Sequence, residues 1–169
     1  PLAGLAPPLG TLHPLALLPG PDPSPAMALA ELLREGPGWA ALEAWGSWAV
    51  PGESRLRLPL PAEAADTALR VFLELAAPPE GGRFGLRATR ERNPVGLLQR
   101  LEARPGERLF AMLTVPPGEG DLMLAVEPAE GAGGAERVGV CSLMACRADD
   151  HAARLDYLEG RALARLPPG

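Results

Sequence analysis

Three tryptophans, Trp39, Trp45 and Trp48, fall within ten residues of a chain in which aromatic side chains make up only 4%. Flat indole faces stack on the apolar faces of sugar rings, while Glu43, Ser47 and the nearby Arg55 are of the types that bond ring hydroxyls. The expected ligand-binding residues are therefore Trp39, Glu43, Trp45, Trp48 and Arg55. Core packing is the competing use of the same indoles. On that reading Trp45 and Trp48 plug one end of a core and Trp39 seats the preceding helix; of the three, Trp39, beside the Gly36-Pro37-Gly38 turn, is expected to be the exposed one.

A second grouping is basic. Arg83, Arg87, Arg90, Arg92, Arg100, Arg104 and Arg108 lie within 26 residues that hold only three acids, Glu91, Glu102 and Glu107. In a strand, side chains two or four apart share a face, so Arg83 and Arg87 could together hold a carboxylate or phosphate. A solvated sheet face is the plainer use of the same pattern. The remaining reactive types do not assemble. Asp149-Asp150-His151 stands without a supporting His or Cys cluster and suits a helix cap better than a metal site. Neither Ser47 nor Ser142 sits in a Gly-x-Ser-x-Gly elbow, and neither glycine pair opens a phosphate loop. The expectation is no catalytic residue, no metal and no cofactor.

The bulk composition narrows the partners. The formal charge is −5, which disfavours attraction to nucleic acid or anionic lipid. No apolar run is long enough to span a membrane, and the proline-cut opening lacks the basic flank of an intact signal peptide. Cys141 and Cys146, five apart in an expected strand, point to opposite faces and cannot bridge, so the compartment stays undetermined, with the cytoplasm as default.

The elements that must carry these groups are short, because 20 glycines and 21 prolines interrupt the chain. Residues 1–36 read as a Pro-rich lead with one helix of about ten residues, capped by Ser24-Pro25 and stopped by Gly36-Pro37. From residue 55 the period becomes two. Leu56, Leu58 and Leu60 alternate, as do Leu69, Val71, Leu73 and Leu75, and further strands are expected in 83–89, 95–103, 108–115, 121–127 and 137–146. Seven such strands between Pro/Gly turns specify a mainly β domain over residues 37–148, an antiparallel β-sandwich of jelly-roll type. A helix capped by Asp149-Asp150, with Leu155 and Leu158 on one face and Gly160 at its end, begins the closing segment 149–169.

The run Gly38-Trp39-x5-Trp45-Gly46-x-Trp48, followed by Ser54-Arg55-Leu56-Arg57-Leu58-Pro59-Leu60-Pro61, resembles the opening of a β-sandwich accessory domain of bacterial glycosyltransferases and polysaccharide-biosynthesis proteins. The likeness extends through Arg104-Pro105-Gly106-Glu107, the strand from Asp121 to Pro128, and Arg137-Val138-Gly139-Val140, and so spans about residues 36–147. It implies a non-catalytic, carbohydrate-binding or accessory role, with a glycan and a parent protein domain as partners. The alternative is a structural module that docks on a partner or on a second copy without binding glycan.

Overall fold

The alternating leucines build strands because one face of each is shut against a second sheet. The computed structural model describes residues 9–17 and 30–164; the Ser24-Pro25 cap expected for the first helix lies outside them. Ten strands are present: β1 (Leu12–Pro14), β2 (Arg34–Glu35), β3 (Ser47–Ala49), β4 (Ser54–Leu58), β5 (Leu69–Ala76), β6 (Gly82–Arg90), β7 (Leu98–Ala103), β8 (Arg108–Val115), β9 (Leu122–Pro128) and β10 (Val138–Arg147). Residues 30–33 form a helical turn, α1, and His151–Ala164 form α2.

All pairings among these strands are antiparallel. Sheet A has β10 at its centre, flanked by β5 and then β8 on one side and by β3 and β1 on the other; sheet B runs β2-β4-β9-β6-β7. The eight strands β3 to β10 thus form two four-stranded sheets, β3-β10-β5-β8 and β4-β9-β6-β7, which is the jelly-roll arrangement. Between the sheets lie Leu56, Leu58, Val71, Leu73, Leu75, Phe84, Leu86, Leu113, Leu124, Val126, Val140 and Leu143, all buried. Each such side chain contributes on the order of 1.5–3 kcal/mol on burial, before the entropy of ordering it is subtracted.

Several expectations change in physical detail. The Pro-rich lead is not outside the sandwich: β1 pairs with β10 and β2 with β4, so it supplies an edge strand to each sheet. Strands of two or three residues leave too little periodicity to read. His13, in β1, is buried opposite Leu143. Cys141 and Cys146 share a face rather than opposing each other, because the pairing of β10 with β5 shifts between Val140 and Ser142. That bulge places one extra residue, Cys141, and reverses the alternation beyond it. Both thiols are free and buried.

The helix α2 lies on the outer face of sheet A. It is capped as expected, with the backbone N–H of Ala153 donating to Asp150 Oδ1 at 3.1 Å. It buries Tyr157 against Phe72, Met144 and Cys146, whereas Leu155 and Leu158 remain exposed. It also continues past Gly160 to Ala164. A mid-helix glycine costs about 1 kcal/mol, and the next turn is held by Arg161, which donates to Glu74 Oε2 at 2.7 Å. Arg108 and Ser142 converge on the same carboxylate.

Candidate functional site

The five residues expected to bind ligand do not converge. Trp39 closes one side of the sandwich: its backbone bridges to Ala49 of sheet A, and its indole N–H donates to the carbonyls of Glu35 at 2.9 Å and Arg55 at 3.0 Å in sheet B. Arg34 of β2 reinforces the seam by donating to the Ala40 carbonyl and to Ser47 Oγ. Trp39 is thus a half-buried structural indole rather than the exposed one. Trp45 and Trp48 lie instead on the outer face of sheet A, edge to face with centroids 4.8 Å apart, and the Arg137 guanidinium sits 4.2 Å from the Trp48 ring centre. Trp45 rests on Gly139, where a Cβ would come within 2.6 Å of the indole. The glycine of the Trp-Gly-x-Trp run is equally constrained, since a Cβ at Gly46 would lie 2.6 Å from the Val140 carbonyl oxygen. Glu43 is exposed at the turn that Gly46 closes. Arg55 points outward from sheet B, opposite Glu35.

A groove on the outer face of sheet B gathers three of the seven clustered arginines. The register puts Gly85 opposite both Arg100 of β7 and Glu127 of β9, with Arg83 and Arg87 two positions away on β6 and Glu102 opposite Arg83. Because Gly85 has no side chain, the sheet is dished there, and Leu98 folds across the gap to within 2.7 Å of where a Cβ would stand. The resulting groove has a volume of about 640 Å³. Such a volume lies within the range of about 300–1,000 Å³ common to small-molecule sites. Its walls are Arg83, Arg87, Arg100, Glu102, Glu127 and Glu130, together with Leu98 and the Pro128-Ala129 turn.

The groove's side chains are held to different degrees. Arg87 is fixed, donating from Nε to Glu127 Oε1 and from Nη1 to the Gly96 carbonyl, both at 3.0 Å. Arg83 donates to the Ala132 carbonyl, and its backbone pairs with Gly133 and Ala135, so the 129–135 loop is tied to the groove's end. Arg100 is exposed and has no ion-pair partner among the described residues. The other clustered arginines serve elsewhere. Arg90 is almost fully buried, bonding the carbonyls of Gly120 and Ala64; Arg92 pairs with Glu119; Arg108 reaches Glu74 and the Cys141 sulfur on sheet A. At the opposite end of the same face Arg57 is held by Glu35, Glu91 and Asp121.

Chemically the groove offers hydrogen-bonding groups, Arg87 held by partners and Arg100 without one among the described residues. Guanidinium groups only donate and carboxylates only accept, and here the two kinds interleave around an apolar patch made by Gly85 and Leu98. Among the described residues no group of three or more His, Cys, Asp or Glu could hold a metal, and no helix is long and apolar enough to cross a membrane. Burial pushes the Cys141 thiol up to about 11 despite the Arg108 guanidinium beside it. A thiol so shifted is a poor nucleophile at neutral pH.

No family model matches the chain, and no curated protein does. Among solved structures, a mutant Xylanase10C from Cellvibrio japonicus, solved with xylopentaose, is similar at 13% identity and a TM-score of 0.44. That match covers 68% of this chain and 25% of the xylanase. The xylan-binding module CBM15 is similar at 14% identity and a TM-score of 0.43, over 68% of this chain and 84% of the module. An uncharacterized protein from Listeria monocytogenes, solved with glucose, magnesium and calcium, is similar at 7% identity and a TM-score of 0.37, covering 67% of this chain and 10% of that one. This chain therefore spans a quarter of the xylanase's length. Likenesses at this level assign neither a family nor a ligand.

Proposed function

We propose that this domain is a non-catalytic carbohydrate-binding module, an accessory part of a polysaccharide-related, glycosyltransferase-like protein. The observation that carries the reading is the groove over Gly85, where donor-only arginines and acceptor-only glutamates alternate. A sugar hydroxyl both donates and accepts, so a polyol satisfies both kinds of wall at once. The Leu98 side chain, lying across Gly85, offers the apolar contact that suits the apolar face of a pyranose ring. The expected tryptophan platform is not part of this groove; Trp39 in particular is committed to joining the sheets.

A glycan-array screen of the domain, followed by titration calorimetry on the best ligand, tests the proposal. Arg100→Ala removes an exposed donor with no structural partner, so affinity should fall at least tenfold while the melting temperature stays unchanged. Binding that survives both Arg100→Ala and Glu127→Gln would place the glycan elsewhere, with the Trp45–Trp48 face next in line. Release of reducing ends from any bound glycan would contradict the non-catalytic part.

One observation favours the docking alternative. Phe110 and Met112 on β8 and Leu158 on α2 are exposed around an apolar hollow of about 380 Å³, beside the outer edge strand of sheet A. A second copy adding its own β8 to that edge would cover it. Sedimentation of a dimer that Met112→Glu dissociates would support this; a monomer at high protein concentration would remove it.

A further inference from the structure

We infer that the ligand of the sheet B groove is an uncharged polysaccharide several sugar units long, an inference that rests on reading the groove as the glycan site. The first observation is extent. Glu102, exposed on β7, lines the groove over Gly85 and also a second hollow, of about 660 Å³, formed with Ala103, Arg104, Pro105 and Glu107 at the turn between β7 and β8. The two hollows thus meet at Glu102, on β7, the outer edge strand of the sheet. Each alone is in the range of about 300–1,000 Å³ that holds a small molecule. A ligand that uses both is a chain rather than a single ring.

The second observation is charge balance. The two hollows together are walled by four arginines and four glutamates, Arg104 and Glu107 being the pair added by the second. Glu107 is fixed there by accepting the Arg104 backbone N–H at 2.8 Å. A uronate, sulfate or phosphate group only accepts hydrogen bonds, so it could satisfy the arginines but not the four glutamates interleaved with them, whose charge would repel it. Glu127 already holds Arg87, which lowers the attraction that guanidinium offers an anion. Hydroxyls suit both kinds of group and carry no charge to be repelled. The chain's net charge of −5 acts in the same direction at long range.

The test is titration calorimetry of the whole domain against length series of one to six units: cello- and manno-oligosaccharides as uncharged probes, oligogalacturonates as charged ones. The expected result is that an uncharged series binds, gains at least tenfold in affinity between two and five units, and changes little between low and high salt. Arg104→Ala, at an exposed turn, should cost the six-unit ligand at least fivefold. Affinity that is flat with length, or tightest binding by the oligogalacturonate series with steep salt dependence, overturns this inference and leaves the glycan reading standing. Binding that Arg100→Ala and Glu127→Gln leave intact overturns the groove as the glycan site, and a complete lack of binding in all series and on the array overturns the glycan reading itself.

Discussion

At the scale of single residues, the side chains most conspicuous in the sequence divide between seams and faces. Trp39 makes hydrogen bonds to two strands of one sheet while its backbone joins the other, so Trp39→Ala should destabilise the domain by about 3 kcal/mol, measured by urea unfolding, without requiring any ligand. Trp48→Ala, which loses the edge contact with Trp45 and the guanidinium over its half-buried ring, should cost about 1–2 kcal/mol. Gly139→Val puts carbon into the space of Trp45, and the expected readout is a red-shifted tryptophan emission with a lowered melting temperature. The Cys141 thiol provides a pH signature. Its folded pKa of about 11 lies above the ordinary value near 9, and burial raises Cys146 and Tyr157 in the same direction. Stability from keeping Cys141 neutral is fully present below about pH 9 and is lost as pH rises through about 11, with Cys146 and Tyr157 adding in the same alkaline direction. Melting temperature should therefore fall across that alkaline window, and Cys141→Ala should soften the fall. A flat alkaline profile would contradict the burial of these groups.

At the scale of elements, what was legible in the sequence is what repeats. Apolar residues at every second position, Leu56, Leu58 and Leu60 and then Leu69, Val71, Leu73 and Leu75, announce their strands, because a residue that must face a second sheet leaves a period-two record over five or more positions. The elements that escaped are those too short to leave one: β1, β2 and β3, of two or three residues, are defined by partners distant in the chain. The parity of β10 was misread for a related reason. A bulge is a property of the pairing, and nothing in Val138–Arg147 alone marks Cys141 as the extra residue. The candidate site was half legible. Arg83 and Arg87 share a face by simple alternation, but the groove also needs Gly85, Leu98, Arg100 and Glu127, which only the register of β7 and β9 brings beside them. Helix α2 is an appendage whose anchoring is likewise tertiary. Tyr157→Ala should cost about 2–4 kcal/mol and expose Cys146 to thiol reagents, while the far-UV signal of the sandwich persists.

At the scale of the whole molecule, the two outer faces are unlike. Sheet A is partly covered by α2 through Tyr157 and the Arg161–Glu74 pair, whereas the outer face of sheet B carries the charged groove and no covering element among the described residues. A jelly roll is a rigid frame, so strands β6, β7 and β9 hold Arg83, Arg87, Arg100, Glu102 and Glu127 in fixed register, while Glu130 stands on the loop after β9. Arg87 is thereby placed before any ligand arrives, so little ordering entropy would be spent on it in binding, whereas Arg100 has no partner among the described residues to hold it. Uptake of glycan by this face is tested by calorimetric titration of the domain and its Arg100→Ala variant with the glycan that ranks first on an array. The expected result is saturable binding by the parent domain and at least tenfold weaker binding by a variant that melts at the same temperature. Equal affinity in the two proteins, or no glycan bound by either, would contradict it.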